Sequence, residues 1–152
     1  MTNSELKPGM PAPDFELPDQ RGQVVRLSQY RGKRAVVIYF YPKDDTTGCT
    51  MEACRFRDDF VKFQAVDAEI LGISDDSSES HGKFIAKYGL PFTLLSDKGG
   101  RVRKLYGVTK TLGIIPGRVT YIVDREGVLL HVFSSQSAPA RHVEEALSAL
   151  RH

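Results

Sequence analysis

The stretch Ala35-Val-Val-Ile-Tyr-Phe-Tyr41 runs directly into Pro42-Lys-Asp-Asp-Thr46-Thr-Gly-Cys49-Thr-Met-Glu-Ala-Cys54. Its first part is wholly apolar or aromatic, β-branched at Val36 to Ile38, and bounded by Pro42, so it reads as a strand buried on both faces. From Cys49 onward, apolar or small residues recur at Ala53, Phe56, Phe60 and Phe63. These offsets keep them on one face of a helix predicted over Thr50–Val66. Cys49 therefore stands at a strand-to-helix junction, where free backbone N–H groups and the positive end of the helix dipole favour a thiolate. In that position it reads as the helix N-cap, with Glu52 where a capping-box partner belongs.

Working outward, Met10 to Pro18 reads as an extended arm because each proline pushes its predecessor out of the helical region. A turn at Gln20 to Gly22 lets Gln23–Leu27 pair with the arm as a short hairpin, and Ser28–Gly32 reads as one helical turn. After the helix, Glu69–Ser74 is strand-like, so it pairs parallel with the first strand. Ser77 or Ser78 caps a helix to about Tyr88 with Phe84, Ile85 and Tyr88 on one side. Phe92–Leu95 is a brief strand and Gly99–Tyr106 a short helix. Arg118–Asp124, the turn Asp124 to Gly127, and Val128–Phe133 form an antiparallel hairpin. Pro139 opens a last helix with Ala140, Val143, Leu147 and Leu150 on one face.

The chain has 152 residues, enough for one domain over 1–152 to bury a core without a metal or disulfide staple. Net charge is +2 with Lys and Arg scattered singly, which gives a nucleic-acid surface little support. The first thirty residues hold no apolar core behind a basic start, and the longest apolar run is too short for a bilayer, so a cytoplasmic location is expected and no membrane association. Histidines 81, 131, 142 and 152 stand apart from one another, with no H-x-x-x-H or C-x-x-C pair, and each reads as a surface residue. No Gly-rich phosphate loop is present, so chemistry without a cofactor is expected. Thr109 to Gly117 is a loop that either packs or lines the site.

Two cysteines in a chain of this size form no disulfide framework. Cys54 lies five residues after Cys49, about 140° around the helix and roughly 7.5 Å along it, which separates the Cα atoms by about 8.6 Å. A disulfide needs them within about 7 Å. If the two sulfurs ever join, the first turn and a half of the helix must unwind. Gly48 and the threonines around it make that end a poor helix former. Cys54 also reads as a half-buried helix residue beside Arg57 and Asp58.

Pro42-x-x-x-Thr46-x-x-Cys49 is the active-site pattern of the peroxiredoxins. Pro13 to Leu17, Tyr39 to Lys43, Gly48 to Thr50, Phe92 to Asp97, Tyr106 to Val108 and Arg118 to Asp124 narrow the likeness further. From about Lys7 to Leu150 the chain resembles the bacterioferritin comigratory protein, or peroxiredoxin Q, subfamily. One departure is Thr47, where relatives often carry proline; a threonine there is expected to loosen the loop.

The resemblance implies an α/β, thioredoxin-like fold: a central mixed β-sheet flanked by helices, with an N-terminal β-hairpin extension. It implies reduction of hydrogen peroxide and organic hydroperoxides, with Cys49 peroxidatic and Cys54 resolving through an intramolecular disulfide. A dithiol donor such as thioredoxin would reset it, and the chain is expected to be a monomer or weak dimer. Thr46 is expected to give a hydroxyl hydrogen bond to the peroxide. Arg118, which by itself reads as a surface charge at a strand start, matches the family's active-site arginine. Pro42 is either a strand terminator or a shield over the sulfur. A one-cysteine peroxidase with structural Cys54, and a non-enzymatic peroxide sensor, use the same sulfur. A thioredoxin-type disulfide oxidoreductase is disfavoured because it needs C-x-x-C, and here the spacing is C-x4-C.

Overall fold

The computed structural model describes residues 5–108, 110–111 and 115–151. The chain opens with a hairpin in which β1 (Glu16–Pro18) pairs antiparallel with β2 (Val24–Arg26), Leu17 opposite Val25. A 3-10 turn at Leu27–Tyr30 leads to β3 (Ala35–Phe40), then α1 (Thr47–Asp58), α2 (Phe60–Ala65) and β4 (Ala68–Ser74). After these come α3 (Ser78–Tyr88), β5 (Thr93–Ser96) and α4 (Arg101–Leu105). Two short strands, β6 (Lys110–Thr111) and β7 (Ile115–Pro116), pair antiparallel before β8 (Val119–Val123), β9 (Leu129–Ser134) and α5 (Pro139–Leu150).

Five strands make one sheet in the order β5-β4-β3-β8-β9. β3, β4 and β5 run parallel, while β8 is antiparallel to both β3 and β9. This is the mixed, helix-flanked sheet expected from the sequence, with the separate N-terminal hairpin. β3 is central because its side chains alternate between two apolar layers. Val37 and Tyr39, with Tyr41 just beyond, face a core shared by Phe56, Phe63, Phe84, Val143 and Leu147. Val36, Ile38 and Phe40 face Phe15, Leu17, Val25, Val102 and Tyr106. Each such buried side chain contributes about 1.5–3 kcal/mol relative to exposure, and β3 is what both layers hold in place.

Several elements depart from the sequence reading. The single helix expected over Thr50–Val66 is two helices, broken at Asp59, whose φ of -99° and ψ of 10° leave the helical region. The carboxylate of Asp59 is held by Arg55 Nε at 3.2 Å and lies 3.6 Å from Lys62 Nζ. The break lets Phe56 and Phe63 enter one core, while Phe60 is only partly buried. The short helix near Tyr106 begins at Arg101, because Gly99 and Gly100 adopt φ of 83° and 73°, left-handed values that a helix cannot contain. The strand expected over Phe92–Leu95 is shifted by one residue.

Helix α3 is capped as expected, with Ser77 Oγ accepting from the Ser80 amide at 3.1 Å. Within the Thr109–Gly117 loop, Thr109 and 112–114 lie outside the described residues, so its expected packing is described only as the β6–β7 pairing. Two histidines read as surface residues are fully buried, His81 and His142. His152 lies outside the described residues. No helix among the described residues is long and apolar enough to cross a membrane.

Candidate active site

The chain leaves the C-terminal end of β3 at Tyr41, turns through Pro42 to Asp45, and enters α1 with Thr46 as N-cap in an extended conformation. Cys49 is thus the third residue of the helix and not its cap. It keeps the environment expected of a cap, since the amides of the first turn have no intrahelical acceptor and the dipole of a 12-residue helix points its positive end there. The sulfur is buried, with 1% of the residue exposed.

Arg118 lies just before β8, the antiparallel neighbour of β3, and that pairing carries it to the mouth of α1. Its side chain is buried and forks between two acceptors. Nη2 reaches Cys49 Sγ at 3.5 Å, and Nη1 donates to Glu52 Oε1 at 2.5 Å. Nε is held more loosely by the Gln136 carbonyl at 3.4 Å. Burial works against the charge of Arg118, and Glu52 and Cys49 more than offset it, holding the guanidinium above its usual value. Gly48 leaves room for this approach: a Cβ there would stand 3.0 Å from Arg118 Nη2.

Glu52 corrects the capping-box expectation. It points inward and is fully buried, with Oε1 on Arg118 and Oε2 without a hydrogen-bond partner among the described residues. Burial pushes its carboxyl up to about 8, against the pull of Arg118. Behind it His142 Nδ1 lies 3.8 Å from Oε2. That ring is neutral: Thr120 Oγ1 donates to Nδ1 at 2.8 Å and Nε2 donates to the Ser135 carbonyl at 2.8 Å. Burial lowers it to about 4, with Arg118 adding to the fall. The sequence carried a signal for Glu52, because positions 49, 52, 53 and 56 share one helical face. A carboxylate on a buried stripe requires a cation from elsewhere in the chain.

The other expected residues are placed less closely. Thr46 is exposed at the helix start, and its hydroxyl donates to the Lys43 carbonyl at 3.0 Å. In this conformation the hydroxyl proton is engaged by that carbonyl. Pro42 is half-buried where the strand ends. Cys54 is half-buried, both thiols are free, and the intact α1 runs through both positions. Helical geometry therefore keeps their Cα atoms about 8.6 Å apart, beyond disulfide reach.

A buried thiol at a helix start with an arginine on its sulfur, on a mixed sheet flanked by helices, defines a thiol peroxidase of the peroxiredoxin class. The AhpC/TSA family model matches residues 8–132, and the chain belongs to that family. Within it the likeness is to peroxiredoxin Q. The chloroplastic peroxiredoxin Q of Sedum lineare is 50% identical over 149 residues, covering 97% of this chain and 80% of the relative. That of Oryza sativa subsp. japonica is 49% identical, covering 97% and 68%. Among solved structures, peroxidoxin BcpB from Mycobacterium tuberculosis aligns with TM-score 0.89 and 39% identity over 97% of both chains. The bacterioferritin comigratory protein of Xanthomonas campestris, studied for alkyl peroxide reduction in a trapped intermediate/ligand complex, aligns with TM-score 0.82 and 32% identity over 94% of this chain and 98% of that one.

Proposed function

We propose that this chain, acting as one domain, reduces hydrogen peroxide and organic hydroperoxides at Cys49 and recycles through Cys54. The observation that carries the roles is the Arg118 fork, with Nη2 at 3.5 Å from Cys49 Sγ. The cationic guanidinium and the first-turn amides favour negative charge on the sulfur and on the oxygen that leaves it. Cys49 thiolate attacks one peroxide oxygen; the S–O bond forms, the O–O bond breaks, and the departing oxygen takes a proton to leave as water or alcohol. Thr46 accepts a hydrogen bond from the peroxide, and Pro42, half-buried where the strand stops, acts as the shield over the sulfur.

Cys54 then attacks the sulfenic sulfur, closing a disulfide and releasing water. The intact helix supports an order of events in which this follows unwinding of the first turns of α1. A dithiol donor of the thioredoxin kind attacks the disulfide and leaves both thiols reduced. Every group named is supplied by one chain, which supports a working monomer or weak dimer. The chemistry calls for an aqueous, reducing compartment; the cytoplasm provides one, as does the chloroplast named for the plant relatives.

The test is steady-state peroxide consumption with a thioredoxin and its reductase. Cys49→Ser is expected to abolish turnover, and Cys54→Ser to keep a single round of peroxide reaction but lose recycling by the dithiol. A Cys49→Ser variant that still turns over would refute the assignment.

A further inference from the structure

The loop between β3 and α1 is tied to the body of the protein by a polar cluster that the reaction at Cys49 does not touch. Asp44 is 8% exposed, and its carboxylate accepts from Tyr41 Oη at 2.5 Å, Ser80 Oγ at 2.7 Å and His81 Nδ1 at 2.8 Å. Its amide donates to Asp76 Oδ2 at 2.8 Å, and the same oxygen takes the Ser74 hydroxyl at 2.7 Å. The far nitrogen of His81 faces the Leu95 carbonyl at 3.0 Å. Both ring nitrogens therefore stand within hydrogen-bond distance of an oxygen, Asp44 Oδ2 on one side and the Leu95 carbonyl on the other. The cluster thereby joins the loop to β4, β5 and α3. Asp44, Asp76 and His81 have the spacing of a cation site, but Asp44 Oδ1, Asp44 Oδ2 and Asp76 Oδ2 already accept from donors on the protein. The arrangement is an anchor.

The next residue marks a boundary. Asp45 has a φ of 61°, a left-handed value uncommon for aspartate, and its carboxylate takes Lys87 Nζ and Tyr88 Oη, both at 2.8 Å. Past it the ties are those of the reactive site itself: Thr46 binds the Lys43 carbonyl, the Thr50 amide bonds to the Thr46 carbonyl at 2.8 Å, and Arg118 forks onto Cys49 and Glu52. A buried cluster whose hydrogen bonds are satisfied stays closed, whereas the helix start beyond Asp45 carries exposed Thr46 and Thr47 and a contact to the very sulfur that reacts.

Resting on the two-cysteine cycle proposed above, we infer that Asp44 and His81 are positioning residues: they hold residues 42–45 fixed, so that α1 unwinds from a hinge at Asp45 when Cys49 meets Cys54. The anchor thereby keeps Pro42 in register with β3 in both redox states and confines the rearrangement to the segment carrying the two sulfurs.

The test is residue-resolved amide exchange on the full chain, reduced and after one equivalent of hydrogen peroxide, with a thiol count on the same sample. In the disulfide form the amides from Thr50 to Cys54 are expected to lose protection by about 100-fold or more, and the Asp44 amide to stay within about threefold of its reduced rate. Loss at Asp44 matching that at Thr50, or no loss in α1 despite a disulfide, overturns the hinge and leaves the cycle standing. Two thiols surviving the peroxide, seen in the thiol count, overturn the cycle and the hinge with it. In Asp44→Asn, the reduced protein is expected to show faster exchange from Asp45 to Cys49 and a peroxide reaction slowed by about tenfold. A variant with unchanged exchange and rate contradicts the positioning role, and should it fail to fold, the wild-type comparison still decides.

Discussion

Arg118 Nη2 lies 3.5 Å from the sulfur of Cys49 although 69 residues separate them in the chain. The antiparallel pairing of β8 with β3 makes that contact, and the second nitrogen of the fork is fixed on Glu52. Lysine has no rigid fork and cannot serve both acceptors in this geometry. Arg118→Lys is therefore expected to slow the reaction of Cys49 with hydrogen peroxide by about 100-fold, the usual loss when one donor to a developing oxyanion is removed. Stopped-flow thiol oxidation measures it, and a rate within threefold of wild type would contradict the role.

Gly48 offers a test in which stability and activity move in opposite directions. Alanine is the better helix former by up to about 1 kcal/mol, yet its Cβ would stand 3.0 Å from Arg118 Nη2. Gly48→Ala is expected to hold or raise the melting temperature while slowing the peroxide step by about tenfold as the guanidinium is displaced. An unchanged rate would show that Arg118 has room to spare.

Glu52 and His142 set opposing pH dependences. Burial raises the Glu52 carboxyl from 4.5 to about 8, so between those values the folded chain keeps a proton that the unfolded chain has released, and stability falls as pH rises. Burial lowers His142 from 6.5 to about 4, so in that interval the folded chain lacks a proton that the unfolded chain holds, and stability rises with pH. The two slopes cancel where they overlap. What remains is a loss between roughly pH 6.5 and 8, of at most about 2 kcal/mol. Urea unfolding across that range is expected to show the decline in wild type and not in Glu52→Gln; an equal decline in both proteins would rule out Glu52 as its source.

Thr47 is the first residue of α1 and is exposed. Proline fits that position because its missing N–H has no acceptor in the helix, and Thr46 before it is already extended, at φ -95° and ψ 162°. Thr47→Pro is expected to stabilise the reduced protein by about 0.4–1 kcal/mol. It should also slow disulfide closure several-fold while leaving the first attack on peroxide unchanged, as resolved by following fluorescence or mass after rapid mixing. Faster closure would mean that the helix start does not need to open.

The elements that could be read from the sequence are those whose signal is local. The apolar run at Val36 to Tyr41, the turn at Asp124 to Gly127 and the serine cap at Ser77 each carry their own periodicity or hydrogen-bonding chemistry, and all three stand in the structure. The position of Cys49 at a strand-to-helix junction was legible for the same reason. What was missed depends on partners distant in sequence. His81 is buried because Asp44, 37 residues earlier, comes to meet it. His142 is buried because Thr120 and the Ser135 carbonyl satisfy both ring nitrogens. Glu52 looked like a cap because its true partner lies 66 residues on. Asp59 breaks the helix to steer Phe56 and Phe63 into one core, a demand of packing that helix propensity does not express.

The most direct test of the cycle is the intact mass and free-thiol count of the fully reduced protein after one equivalent of hydrogen peroxide under native conditions. The expected result is loss of two hydrogens and of both thiols in a protein that remains a monomer, the signature of a Cys49–Cys54 bridge reached by opening α1. Gain of one oxygen with one thiol still free would contradict the resolving role of Cys54, and an unchanged mass with two thiols would contradict the chemistry assigned to Cys49.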